Sequence, residues 1–162
     1  MGLSTLVLGL IIFFAPHVFV TRREARGRLI ARIGEGPYKI AFSVVSAIGI
    51  ALIVFGFARY RASEWVNLWY PPVWARHLAL QLNWLAFVCI AAAYSPGNIK
   101  RALKHPMLVG VKIWAFAHLI ANGDLGSVIL FGSILAWAVF DRITLKRRND
   151  PGAPDTRNGG WP

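Results

Sequence analysis

Four histidines, His17, His77, His105 and His118, are the ring nitrogens this chain offers for chemistry. His17 lies in FFAPHVF, at the end of a first apolar block. His118 lies deep in KHPMLVGVKIWAFAHLIANGD, a stretch that also holds Lys112 and is opened by His105. His77 follows Arg76 at the start of a third block. An ionisable group within an apolar run is a functional candidate by default, because hydrocarbon penalises it. Each histidine also has a plain packing role. His118 suits a hydrogen bond between helices, and His17 suits a helix-end bond to a backbone carbonyl. His105 precedes Pro106 and suits a cap, and His77 suits the membrane interface. Lys112 is accounted for by a stem long enough to carry its charge to the interface.

No Asp or Glu falls inside any apolar block. That argues against a two-carboxylate mechanism, a carboxylate-rich metal cluster and a proton relay with acidic partners. H-E-x-x-H is absent, as is a glycine-rich phosphate loop. The one cysteine, Cys89, excludes an intrachain disulfide and a cysteine-based metal site. Helical imidazoles on an apolar, aromatic wall suit haem, whose iron takes nitrogen and whose macrocycle takes the wall. Gly110, Trp114 and His118 share a face at i, i+4 and i+8, with Gly110 leaving room for a flat ring. Phe13 and His17 share a face of the first block in the same way.

The elements that must hold these residues are membrane helices. The chain has 162 residues, 56% of them hydrophobic, and a mean hydropathy of +0.51. Soluble domains run near 45–50% apolar. The excess falls into five blocks, near 2–20, 38–58, 74–94, 107–121 and 125–140. The expected fold is all-α, a polytopic membrane bundle of about five transmembrane helices. Asn122-Gly123 reads as a helix end with a left-handed residue and Asp124 as the next N-cap, so blocks four and five form a tight hairpin. Residues 1–148 read as one transmembrane domain, and 149–162, rich in Pro and Gly, as a disordered tail.

Charge orients the bundle. Arg22, Arg23, Arg26, Arg28 and Arg32 fill the first loop, 21–37. Lys100, Arg101 and Lys104 fill the third, and Arg142, Lys146, Arg147, Arg148 and Arg157 follow the last block. The opposite side holds Arg59, Arg61 and Arg76. The positive-inside rule then places the N-terminus in the periplasm and the C-terminus in the cytoplasm of a bacterial inner membrane. The formal charge of +11 is topogenic and lipid-attracting, not a nucleic-acid surface. The segment 1–20 has no basic residue before its apolar run and no A-x-A site, so it reads as a retained helix. The second loop, with Trp65, Trp69, Tyr70, Trp74 and the Pro71-Pro72 pair, reads as an interfacial segment or a lid over an outward-facing pocket.

At KHPMLVGVKIWAFAHLIANGD, FFAPHVF, LIARIGEGPYKIAFSVVSAIG and FGSILAWAVFDRITLKRR the chain resembles the NnrU family of bacterial membrane proteins, over about residues 1–148. The family name implies a link to nitrite and nitric oxide reduction. The family is similar to the plant 15-cis-zeta-carotene isomerase, a membrane enzyme using haem b with two axial histidines. That resemblance implies His17 and His118 as ligands, His118 in WAFAH thirteen residues after the histidine of KHP, His105. The isomerase carries a cysteine where this chain has Ala115, so a thiolate switch there is not implied. Depth along the helices, at about 1.5 Å per residue, leaves a second pairing open, His17 with His105 and His118 with His77. The H-P-x-x-x-G pattern of His105–Gly110 also looks like an element of isoprenylcysteine-type methyltransferases, whose longer C-terminal region this chain lacks.

The expected function is a haem b membrane protein with a redox or isomerase-type role on a small or lipophilic substrate, or a role supporting nitrogen-oxide reduction. The rival is a cofactor-free accessory or scaffold protein whose histidines only tie helices together.

Overall fold

A computed structural model describes residues 1–152. Among the described residues there are seven helices and no strand: α1 (Gly2–Thr21), α2 (Arg23–Ile33), α3 (Glu35–Ser63), α4 (Val73–Tyr94), α5 (Asn98–Leu103), α6 (Pro106–Ala121) and α7 (Leu125–Arg147). The chain forms two compact units, Met1–Val66 and a second beginning at Asn67.

The first unit is an antiparallel pair, α1 against α3, with α2 between them in sequence. Glycines set the contact. A Cβ built on Gly9 would lie 2.6 Å from the Ile53 nitrogen, and one on Gly49 would lie 2.7 Å from the Phe13 nitrogen. Gly2 meets the backbone at Tyr60, and Gly56 the backbone at Leu6. These four pairs fall on one register, and on each helix the glycines stand seven residues apart. Without water to drive association, small residues that let backbones touch are what bind helices in lipid. At the open end, Glu64 accepts from the backbone amides of Gly2 (2.6 Å) and Leu3 (3.1 Å) and from the Met1 amine, capping α1. Tyr60, fully buried, holds Val66 through its hydroxyl, which donates to the carbonyl and accepts from the amide.

In the second unit α6 packs against both α4 and α7. Asp124 is the N-cap of α7: its carboxylate accepts from the Ser127 amide (2.9 Å) and hydroxyl (2.6 Å), and both residues are fully buried. The turn before it differs from expectation. Asn122 is extended, at φ −122°, and Gly123 is not left-handed. Glycine is required there for another reason. The carbonyl of Trp69 occupies the space a Cβ would need, while the Leu68 and Trp69 amides donate to the Gly123 carbonyl at 2.7 and 3.0 Å. The second loop therefore lies on the α6–α7 turn. At the other end, Asp150 reaches His105 (3.7 Å) and Gly152 meets Lys104. Of the tail, residues 153–162 lie outside the described residues.

The distribution of side chains is that of a membrane protein. The buried set is small: Ala75, Ala79, Ala86, Ala115, Ala117 and Ala138 are each under 9% exposed. The exposed set is large and apolar, with Ile40, Leu80, Trp84 and Phe87 facing outward. In water that surface would be an aggregation liability; in lipid it is the solvated face. Four helices, α1, α3, α4 and α7, are long and apolar enough to cross a membrane, and α6 is a shorter apolar helix of 16 residues. At about 1.5 Å per residue α6 spans roughly 24 Å. The first loop, for which no helix was expected, holds α2. Its Leu29, Ile30 and Ile33 recur at helical spacing among arginines, the pattern of a helix lying in the membrane plane.

Candidate functional site

The histidines fall into separate local environments. His17, on α1, is part-buried, and its Nδ1 lies 2.6 Å from the Phe13 carbonyl oxygen one turn earlier. A carbonyl can only accept, so Nδ1 carries a proton and donates it to Phe13. Phe13 is 4.2 Å from the ring, centroid to centroid, and Phe42 of α3 is 5.0 Å away. Pro16, inside α1, lacks an amide, so the helix is already short of one backbone bond beside the histidine.

His118, on α6, is half-buried in the second unit. Its ring stacks on Phe131 of α7, at 4.3 Å and 8° between planes. Trp114 stands edge-on to both, 5.1 Å from His118 and 5.2 Å from Phe131. The His118 carbonyl accepts from the Asn122 side-chain amide at 2.9 Å, closing the helix end. The three-residue face read from sequence divides between two neighbours. Trp114 and His118 meet α7, whereas Gly110 meets α4. A Cβ at Gly110 would lie 2.7 Å from Ile90 and 2.9 Å from the Ala86 carbonyl oxygen. The space beside Gly110 is filled by α4, so this glycine sets a helix crossing instead of admitting a flat ring.

His105 takes the N-cap position of α6, but its side chain makes no capping bond. Its Nε2 is buried without a hydrogen-bond partner, and Asp150 lies nearby at 3.7 Å. His77 is exposed on α4. Lys112 is half-buried, near the start of α6. No group of three or more His, Cys, Asp or Glu side chains gathers among the described residues.

Sequence reasoning passed over several polar groups that the structure buries. Asn83 of α4, Tyr38 and Ser46 of α3 and Arg26 of α2 each hold a buried polar atom with no protein partner. The signal for Asn83 was present, since an amide in the middle of an apolar block needs a partner. Phe131 was not legible, because its contact with His118 crosses the hairpin.

The family profile described as NnrU protein matches residues 5–162. No curated protein and no solved structure matches. The matched region takes in α1 from Thr5 onward, the other six helices and each of the four histidines, and a helical bundle with an apolar exterior accounts for its physical character. This multi-pass membrane protein belongs to the NnrU family.

Proposed function

We propose that the chain is an inner-membrane haem b protein in which His118 and His17 supply imidazole ligands and His105 is the alternative ligand. The observation that carries this reading is the bond from His17 Nδ1 to the Phe13 carbonyl. Ligating histidines characteristically donate their second ring N–H to a carbonyl, which fixes the tautomer and aims Nε2 outward. The donor chemistry fits the group: imidazoles, each beside aromatic rings, with Phe13 and Phe42 near one and Trp114 and Phe131 near the other. Haem, when bound, supplies reversible one-electron exchange at its iron. The protein's part is to hold the tautomer at His17, to keep water from the rings with aromatic side chains, and to present an apolar surroundings to a small or lipophilic substrate. The role is a redox or isomerase-type step, or support of nitrite and nitric oxide reduction. The basic-residue count of the loops supports an N-terminus in the periplasm and a C-terminus in the cytoplasm.

The absorption spectrum of protein purified in detergent tests this. A Soret band that shifts on reduction is expected, lost in His118→Ala and His17→Ala and kept in His77→Ala. Protein that stays colourless after haem is added in vitro, or a band indifferent to His118, overturns it. One observation favours a cofactor-free accessory protein: His118 already stacks on Phe131, a contact that ties α6 to α7. In that reading His118→Phe folds as well as the parent and no variant changes colour.

A further inference from the structure

Where α1 ends and α3 begins, the first unit holds a cavity of about 340 Å3 lined by Val20, Arg26, Tyr38, Lys39, Phe42 and Ser43. Its lining is of two kinds. Val20 and Phe42 belong to the apolar spans. Arg26, Tyr38, Lys39 and Ser43 bring a guanidinium, a phenol, an ammonium and a hydroxyl. Two of these groups each hold an atom with no hydrogen-bond partner inside the protein. Arg26 Nε and the Tyr38 hydroxyl are buried with no hydrogen bond, and Tyr38 as a whole is only 7% exposed. The Arg26 guanidinium lies over the Tyr38 ring, 5.6 Å from its centroid, and both residues line the cavity.

An arginine keeps its proton, so its charge calls for an acceptor. The carboxylate next to the cavity, Glu35, is engaged by Lys39 at 2.7 Å and feels Arg26 only more weakly, without a hydrogen bond to the buried Arg26 Nε. What would satisfy both stranded donors is one anion with several oxygens, and phosphate matches a guanidinium fork. The position specifies the source. The cavity lies where two apolar helices leave the hydrocarbon, beside a helix carrying Arg23, Arg28 and Arg32, at the level of lipid headgroups. Its apolar floor offers a surface for the glycerol and upper acyl chain. We propose that this cavity binds the phosphate of an anionic phospholipid, with Arg26 and the Tyr38 hydroxyl donating to its oxygens and Lys39 at the rim.

Native mass spectrometry of the full chain, equilibrated with equal amounts of phosphatidylglycerol and phosphatidylcholine in detergent, tests the site. The parent is expected to retain one phosphatidylglycerol in preference, by about fivefold for each basic residue engaged. Arg26→Gln lowers that preference by about fivefold. Tyr38→Phe, which keeps the ring and its packing, weakens it several-fold and decides the matter should Arg26→Gln fold poorly. Arg28→Gln, on the same helix but outside the cavity, leaves it intact. Equal retention of the two lipids, or equal losses in Arg26→Gln and Arg28→Gln, overturns the proposal in favour of diffuse surface charge. Displacement of the retained lipid by inorganic phosphate assigns the cavity to the free ion and overturns the lipid.

Discussion

One carboxylate caps a helix start in each unit, Glu64 in the first and Asp124 in the second. Glu64 caps α1, and its carboxyl is held at about 2 rather than its ordinary 4.5, first by the Met1 ammonium and then by the Leu3 and Gly2 amides. The lowered value means the folded state favours the charged form. The stabilisation is whole above pH 4.5 and is lost as pH falls from there through about 2. Thermal unfolding in detergent followed down this range should show a decline that Glu64→Gln flattens. Asp124 differs in being wholly buried. Asp124→Ala removes the cap and strands the Ser127 hydroxyl, an expected loss of about 1–2 kcal/mol, while Asp124→Asn, which keeps an acceptor, loses less. Calorimetry on the two variants checks the order. The Asp124 cap was legible because a short acidic residue before an apolar run has one good use. The Glu64 cap was not, since its partners lie at the far end of the unit's sequence. Among the histidines, the neighbours four residues away, Phe13 and Trp114, were readable from helical spacing, and those on other helices, Phe42 and Phe131, were not.

Pairs of helices here are specified by what they lack. Gly2 and Gly9 on α1 and Gly49 and Gly56 on α3 sit at backbone contacts, so even one added methyl group must push the helices apart. Gly56→Val should cost about 1–3 kcal/mol or more. Gly132 has nothing within 4 Å of its missing Cβ, and Gly132→Ala should be neutral or gain up to about 0.5–1 kcal/mol from helix propensity. Unfolding by denaturing detergent, with helicity as the signal, measures both. The seven-residue spacing was visible in the sequence, but spacing alone does not say which partner the glycines face. Helix existence was legible wherever apolar residues ran long. The helices overran the apolar blocks at their polar ends, α3 to Ser63 and α7 to Arg147, because hydrogen bonding continues past the hydrocarbon edge. Helix α2 escaped notice because its arginines mask a short apolar stripe.

At the scale of the whole molecule, loop contacts join helix ends within each unit. In the second unit the second loop bonds the α6–α7 turn, and the tail reaches the third loop at His105. In the first, the α1 start meets the segment after α3. The basic-residue count predicts which side each loop faces. In a Cys89→Ala background, a membrane-impermeant maleimide added to intact spheroplasts should label Val66→Cys and leave Ile99→Cys unlabelled until the membrane is opened. The sequence held enough to order the spans and too little to say which side chains meet within them, since an apolar residue facing lipid looks the same as one facing a helix. The glycine seam also bears on biogenesis. Main chain resting on main chain leaves no play for a slipped register, and only the short stretch from Arg22 to Gly34 separates the two partners in synthesis. They would leave the translocon as a ready-made hairpin, so that the later helices arrive in a bilayer where the first half is already assembled.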